Sequence, residues 1–337
     1  MKPTRRDFLQ LGASGLTAVL AGPTIGAAAV GSAGPARRFH FVQIDVFAAQ
    51  RLQGNPLAVF TDARGLSDAE MQAMARETNL SETTFVIPRD ESVEREQGVM
   101  VRIFTPDREN PFGGHPALGT AMVIRNRRAV ASGAAVPIGQ IVLALRVGQI
   151  PVQFSTEASG RVFGEMHQVD PVFGGTHDRE VVAALLGIKA SDIGDEGPIQ
   201  TVSTGLPYTI VPLKRRKTLQ SLRPDFPRIQ AYFAQRREQS DFYYITRDTQ
   251  DSAIGLRSRG VFADEEDPAT GSAAGCTASW LVRHGVVKSG QTVHIEQGVE
   301  IRRPSQMFAS AERQGEAVRN VRVGGNAVEI AEGEFSL

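Results

Sequence analysis

The chain has 337 residues, with 37 Lys and Arg balancing 37 Asp and Glu, 41% hydrophobic and 22% charged. That length favours two globular domains over one, and zero net charge removes any global electrostatic case for nucleic acid or an anionic membrane. A single cysteine, Cys276, excludes an intrachain disulfide and every multi-cysteine metal site, and the six histidines show no HExxH-like spacing, so a metal is not expected.

Residues 1–33, "MKPTRRDFLQLGASGLTAVLAGPTIGAAAVGSA", join a basic start at Arg5 and Arg6 to a charge-free Gly/Ala-rich run. This is the pattern of a twin-arginine export signal, cut after Ala33. It implies the twin-arginine export machinery as a partner and a periplasmic or other extracytoplasmic destination. An unused signal would leave the protein in the cytoplasm. A membrane anchor is the alternative, but a span so rich in Gly and Ala would be a poor one.

From Phe39 the chain alternates: "HFVQIDVF" places Val42, Ile44 and Val46 on one face of a strand. A Gly-x-Pro turn, "GNPLAVF" (54–60), enters the next strand, and "SDAEMQAMARE" predicts a surface helix carrying a solvated Glu77. "NLSETTFVIP" (79–88) predicts a strand of β-branched and aromatic residues. Glu82 lies at its entry. Viewed alone, Glu82 is a solvated strand end. Facing a cleft, it would be desolvated, and its pKa would rise towards the working range of a general base.

Two charge-free runs follow, "PFGGHPALGTAMVI" (111–124) and "PATGSAAGCTASWLV" (268–282), closed by Arg125 and Arg283. A helix apolar on every side is a buried one. The runs align with each other: residues 102–121 set over 259–278 match at 8 of 20 positions without a gap. About one match is expected from average residue usage. "GNPLAVF" has its own echo in "GLPYTIV" (205–211), 60 and 66 residues before the helix glycine of each half. "FPRIQAYFAQRRE" and "DFYYIT" repeat the surface helix and the strand after it. The chain therefore divides after the signal into two similar units, 39–168 and 169–337. The expected class is α+β, two similar barrels each wrapped around a central apolar helix, with a cleft between them.

The first four N–H groups of a helix lack internal partners and sit at the positive end of its dipole. At "GGHP" the glycines permit close approach, and Pro116 suits a first turn. "DPATGSA" repeats the geometry with Gly271 and Ser272. Two such starts across a cleft would hold a carboxylate or another anion. In register, His115 falls opposite Ser272, and Asn110 opposite Asp267. Equivalent places thus carry unlike side chains, as an asymmetric substrate requires. A histidine like His115 is, taken alone, more often structural.

Together "GNPLAVF", "NLSETTFV", "RIFTPDRENPFGGHPALGT" and "EDPATGSAAG" resemble the phenazine-biosynthesis PhzF-like isomerase family, and "IEQGVEIRRPS" and "VRVGGNAVEIAEGEF" resemble its closing segments. The resemblance implies a diaminopimelate-epimerase-like fold of two pseudo-symmetric barrels in a homodimer. It implies cofactor-independent acid/base isomerisation of a small cyclic or amino-acid-like carboxylate, the type reaction being that of trans-2,3-dihydro-3-hydroxyanthranilate. It carries the proton-transfer role onto Glu82, with His115, Asp267 and Ser272 as supporting catalytic residues. Ser81, Gly114, Thr270 and Gly271 become substrate-binding positions. The related epimerases use two cysteines at the helix starts. Here Gly113 and Thr270 stand in those places, which disfavours a two-thiol racemase, and Cys276 lies more than a turn into its helix.

"KRRK" (214–217) and "QRRE" (235–238) lack interleaved aromatics and are expected to be solvated. "GSAAG" lacks the dinucleotide fingerprint and the P-loop lysine, and no GxSxG occurs. Two functions remain: a cofactor-independent isomerase, or a catalytically idle relative that binds a small carboxylate outside the cytoplasm.

Overall fold

Alternation in the first strand and continuous apolar or β-branched runs in the next two produce three strands broken by one surface helix: β1 (Arg38–Val46), β2 (Asn55–Phe60), α1 (Asp68–Thr78) and β3 (Thr83–Ile87). Then come α2 (Glu91–Gln97), β4 (Val99–Phe104), β5 (Glu109–Asn110), α3 (Gly114–Ala131), β6 (Gln140–Leu145), β7 (Gly148–Thr156) and β8 (Val162–His167). Further along are β9 (Val172–Thr176), α4 (Arg179–Leu186), β10 (Gln200–Ser203), β11 (Pro207–Pro212), α5 (Arg216–Ser221), α6 (Phe226–Arg236), β12 (Asp241–Thr246) and β13 (Leu256–Phe262). The chain closes with β14 (Glu265–Asp267), α7 (Gly271–Arg283), β15 (Val293–Gln297), β16 (Ser305–Gln314) and β17 (Ala317–Ser336). This computed structural model describes residues 36–131, 138–262 and 265–337. The twin-arginine segment, 1–33, lies outside the described residues.

Strand pairing runs β1–β2–β3–β4–β6–β7–β8–β17 and returns to β1, an eight-strand barrel. Closure leaves no free edge on those strands. A second set runs β9–β10–β11–β12–β13–β15–β16–β17. It does not close: among the described residues β9 pairs only with β10, where the ladder shifts register between Gln200 and Val202, opposite the Gly174–Gly175 stretch. β17 belongs to both sets, because its twenty residues pair with β16, β8 and β1 in turn.

The pairing order around the two runs is the same. β2 is parallel to β3, which is antiparallel to β4; β4 forms a hairpin with β5 and pairs parallel with β6. β11, β12, β13, β14 and β15 repeat that order. In each run the long helix follows the hairpin. α3 is buried on every side from Gly114 to Ile124, and α7 from Gly271 to Val282. α3 extends past the charge-free run to Ala131, with Arg127 and Arg128 reaching solvent. Gly119 is what lets α3 lie against the sheet: a Cβ there would stand 2.6 Å from Val46 Cγ2 and 2.8 Å from Leu57 Cδ2. Both helices share one continuous apolar core with Val46, Leu57, Ile103, Ile210 and Val323.

The smaller helices cover the outside. Ser67 caps α1 reciprocally with Glu70, and its Met71, Met74 and Ala75 pack on Phe60, Phe85 and Phe104. α4, α5 and α6 cover a second cluster around Val211, Phe242 and Tyr244.

Candidate active site

The two central helices meet at their N-termini. A Cβ on Gly114 would lie 2.6 Å from the Ser272 nitrogen and 2.7 Å from the Gly271 carbonyl carbon. The sequence predicts a cleft between these starts; instead the starts touch backbone to backbone, and only glycine permits it. Converging two positive dipole ends is unfavourable unless negative charge lies close by. Two carboxyl groups stand there, and Asp267 is the one that supplies the charge at neutral pH.

The first is Glu82, held by the turn between α1 and β3. Its Oε2 lies 3.4 Å from His115 Nε2, and its side chain keeps 18% of its surface against 5% for His115. Loss of water pushes the Glu82 carboxyl up to about 8, and the Asp267 charge pushes the same way. Burial pushes His115 down to about 3, so the ring is neutral at physiological pH. The second carboxylate is Asp267, at the end of β14. Burial raises it to about 6, against the opposing effect of hydrogen bonds from Thr270 and Asn55. At pH 7 the resting site therefore holds an ionised Asp267 and a largely protonated Glu82.

Asn55, the first residue of β2, ties the two helix starts together. Its Nδ2 donates to Asp267 Oδ1 at 2.6 Å and to the Ala269 carbonyl at 3.0 Å, and lies 3.1 Å from His115 Nδ1. An amide nitrogen has no lone pair to offer, so His115 Nδ1 carries no hydrogen and the ring proton sits on Nε2, facing Glu82; the two N–H groups of Asn55 are shared among three acceptors. His115 Nε2 and Asn55 Oδ1 are buried side-chain atoms without a hydrogen-bond partner. Such atoms carry a cost unless something else satisfies them. Here they leave one donor 3.4 Å from the raised Glu82 carboxyl and one acceptor on the amide that joins His115 to Asp267.

Ser272 Oγ lies 3.0 Å from the Tyr208 hydroxyl, which has only 8% of its residue surface exposed. Thr270 stands at the N-cap position of α7 without a side-chain capping bond. Its hydroxyl donates to Asp267 Oδ2 at 2.7 Å and its N–H to Gln297 Oε1 at 3.2 Å. Both polar groups are thus taken up within the protein, and Thr270 orients Asp267. Ser81 is half-buried next to Glu82. Glu77 is exposed. Cys276 is fully buried, touches Thr204 Oγ1 at 3.4 Å, and is pushed up to about 11 by burial. Such a thiol is inert as a nucleophile. No group of three or more His, Cys, Asp or Glu suited to a metal ion occurs among the described residues.

The sequence brought Glu82, His115, Asp267, Ser272, Gly114 and Gly271 forward, and the fold gathers them. It passed over Asn55, Tyr208 and Gln297. Asn55 and Tyr208 stand inside "GNPLAVF" and "GLPYTIV", where only the turn and the strand pattern drew notice. Gln297 has one signal, a polar residue ending the alternation of "VHIEQ" just before a glycine.

The model of the PhzC-PhzF family, phenazine biosynthesis-like proteins, matches residues 44–333. The chain belongs to this family. A trans-2,3-dihydro-3-hydroxyanthranilate isomerase of Pseudomonas aeruginosa is 39% identical over 302 residues, 88% of this chain and 99% of that one. Among solved structures, a Bacillus anthracis phenazine biosynthesis protein of the PhzF family superposes with TM-score 0.76 at 24% identity, covering 89% of this chain and 100% of that one. A hydroxyproline epimerase from Agrobacterium vitis superposes with TM-score 0.59 at 11% identity, covering 89% and 93%. The fold is that of the epimerases and racemases. The chain is a PhzF-family isomerase, and the idle binding relative is not favoured.

Proposed function

We propose that this isomerase moves a proton, and with it a double bond, on a small cyclic or amino-acid-like carboxylate without a cofactor, Glu82 being the group that carries the proton. The observation that supports this most directly is the pair Glu82 and His115: a carboxyl raised to about 8, 3.4 Å from an imidazole nitrogen with no partner. A general base works best with its pKa near the working pH. Ionised Glu82 takes a proton from one carbon of the substrate. The electron pair left behind shifts the double bond, and the same carboxylic acid returns a proton to the carbon at the far end. The intermediate is anionic. The N–H groups at the starts of α3 and α7, with His115 Nε2–H, supply positive potential for it and for the substrate carboxylate. Ser272 and Asp267 bind and orient the substrate's polar groups. A homodimer and export by the twin-arginine route belong to the same reading, with sedimentation as the test of the dimer.

The relative's substrate makes trans-2,3-dihydro-3-hydroxyanthranilate the first compound to try. The protein is incubated with it in deuterated water, and label at carbon is followed by NMR. Wild type is expected to incorporate deuterium, with Glu82→Gln slower by ~10²–10⁴-fold. Equal incorporation by Glu82→Gln would remove Glu82 from the mechanism. Isomerisation without label in wild type would remove exchange with solvent.

A further inference from the structure

The turn that carries Asp267 is gripped by a residue thirty positions further on. Gln297 ends β15, is fully buried, and commits its amide to that turn, to one tyrosine and, at 3.5 Å, to Ser258 Oγ. Its Oε1 accepts from the Tyr243 hydroxyl at 2.7 Å and from Thr270 N–H at 3.2 Å. Its Nε2 donates to the Asp267 carbonyl at 2.8 Å and to Thr270 Oγ1 at 2.9 Å. The opposite orientation of the amide would face its oxygen to the Asp267 carbonyl and its nitrogen to Thr270 N–H, so the arrangement is unambiguous. Ser258 Oγ lies 2.8 Å from the same tyrosine hydroxyl. The next residue is Gly298 at φ +76°, where a Cβ would stand 2.6 Å from the Pro268 carbonyl oxygen. The end of β15 thus presses directly on the Asp267–Thr270 turn.

The directions of these bonds form one series. Tyr243 donates to Gln297, Gln297 donates to Thr270, and Thr270 donates to Asp267 Oδ2. In such a chain each bond polarises the next, and all of them favour negative charge at the far end.

The geometry points to Gln297 as the positioning residue of Asp267: through Thr270 it fixes which way the carboxylate faces and keeps it an acceptor within the site. This rests on the proposed role of Asp267 in catalysis. The relay itself can be tested apart from that role. Asp267 is faced by Glu82 from the turn before β3, by Tyr208 from β11 and by Tyr243 from β12, with His115 across Asn55. Gln297 is the neutral member that no titration alters.

The test is carboxyl-¹³C NMR of the full chain labelled at aspartate, with the Asp267 signal assigned by its loss in Asp267→Asn. Wild type is compared with Gln297→Leu and Tyr243→Phe, and thermal melting verifies that each variant is folded. Asp267 should titrate near pH 6 in wild type, about one pH unit higher in Gln297→Leu, and higher by less in Tyr243→Phe. In the exchange assay kcat should fall roughly tenfold in Gln297→Leu with KM nearly unchanged. Tyr243→Phe keeps the packing and removes only the head of the series, so it decides the matter if Gln297→Leu does not fold. An Asp267 titration unmoved in every folded variant overturns the proposal. A titration that moves while wild type shows no exchange leaves the relay standing and overturns the proposed function instead.

Discussion

Gly114 and Ser272 meet backbone to backbone, with no room between them for a single carbon. The obstructing atoms are main chain at the start of a buried helix, so they cannot step aside as a flexible side chain would. Gly114→Ala is expected to push the start of α3 away from that of α7, costing about 1–3 kcal/mol by overpacking. Displacing the site by about 1 Å should lower kcat/KM by ~10²-fold. Denaturant unfolding and deuterium exchange measure the two effects, and a variant as stable and as active as wild type would show that the contact carries neither.

The ionisation pattern sets a pH dependence. Glu82 must be ionised to act as base, and it is raised to about 8. kcat/KM should therefore climb between pH 7 and 9. Asp267, raised to about 6, adds a second rise on the acid side. His115 stays neutral throughout, being pushed down to about 3. The two carboxylates interact, so the apparent values belong to the pair. A profile flat from pH 5 to 9 would count against both assignments.

Glu82 also costs stability where it must ionise. Its folded pKa, about 8, lies above the 4.5 of a solvated glutamate. The folded protein therefore holds a proton that the unfolded chain releases, and stability falls as pH rises from 4.5 towards 8. Glu82→Gln removes that cost. The variant should melt with wild type at pH 4 and above it by a few degrees at pH 8. Equal melting temperatures at both pH values would mean that Glu82 is not desolvated.

Asn55→Leu removes the donor shared by His115 and Asp267 while filling similar space. An ionised group that loses such a bond within the fold costs about 1.5–3 kcal/mol. Activity should fall ten- to a hundredfold, chiefly in kcat, because the histidine tautomer and the aspartate direction are lost together. Unaltered kcat would show that neither needs Asn55.

Arg5→Lys with Arg6→Lys is expected to hold the protein in the cytoplasm, and cell fractionation reads the outcome. Export of the double-lysine form would exclude the twin-arginine route.

Much of this architecture is written in local chemistry. Val42, Ile44 and Val46 alternate because one face of β1 is buried, and the two charge-free runs stay apolar on all sides because a central helix has no solvent face. The site residues at the helix starts were visible because both charge-free runs open on glycines that permit close approach, and because equivalent places in the two runs, His115 and Ser272, carry unlike side chains. Glu82 was visible only through its company, since a glutamate before a strand is ordinary.

Composition and periodicity thus determined the α+β class, the two buried helices and the residues at their starts, because these follow from which side chains each segment must hide. Contacts between segments far apart in the chain were decided by the tertiary structure alone. Asn55 reaches Asp267, 212 residues away, across the pairing of β1, β8 and β16 with β17, and Gln297 grips Thr270 because β15 pairs with β13; no local pattern encodes either. Hydrogen-bond partners and desolvation depend on distance in space, and a strand's own residues say which face is buried but not which neighbour lies against it.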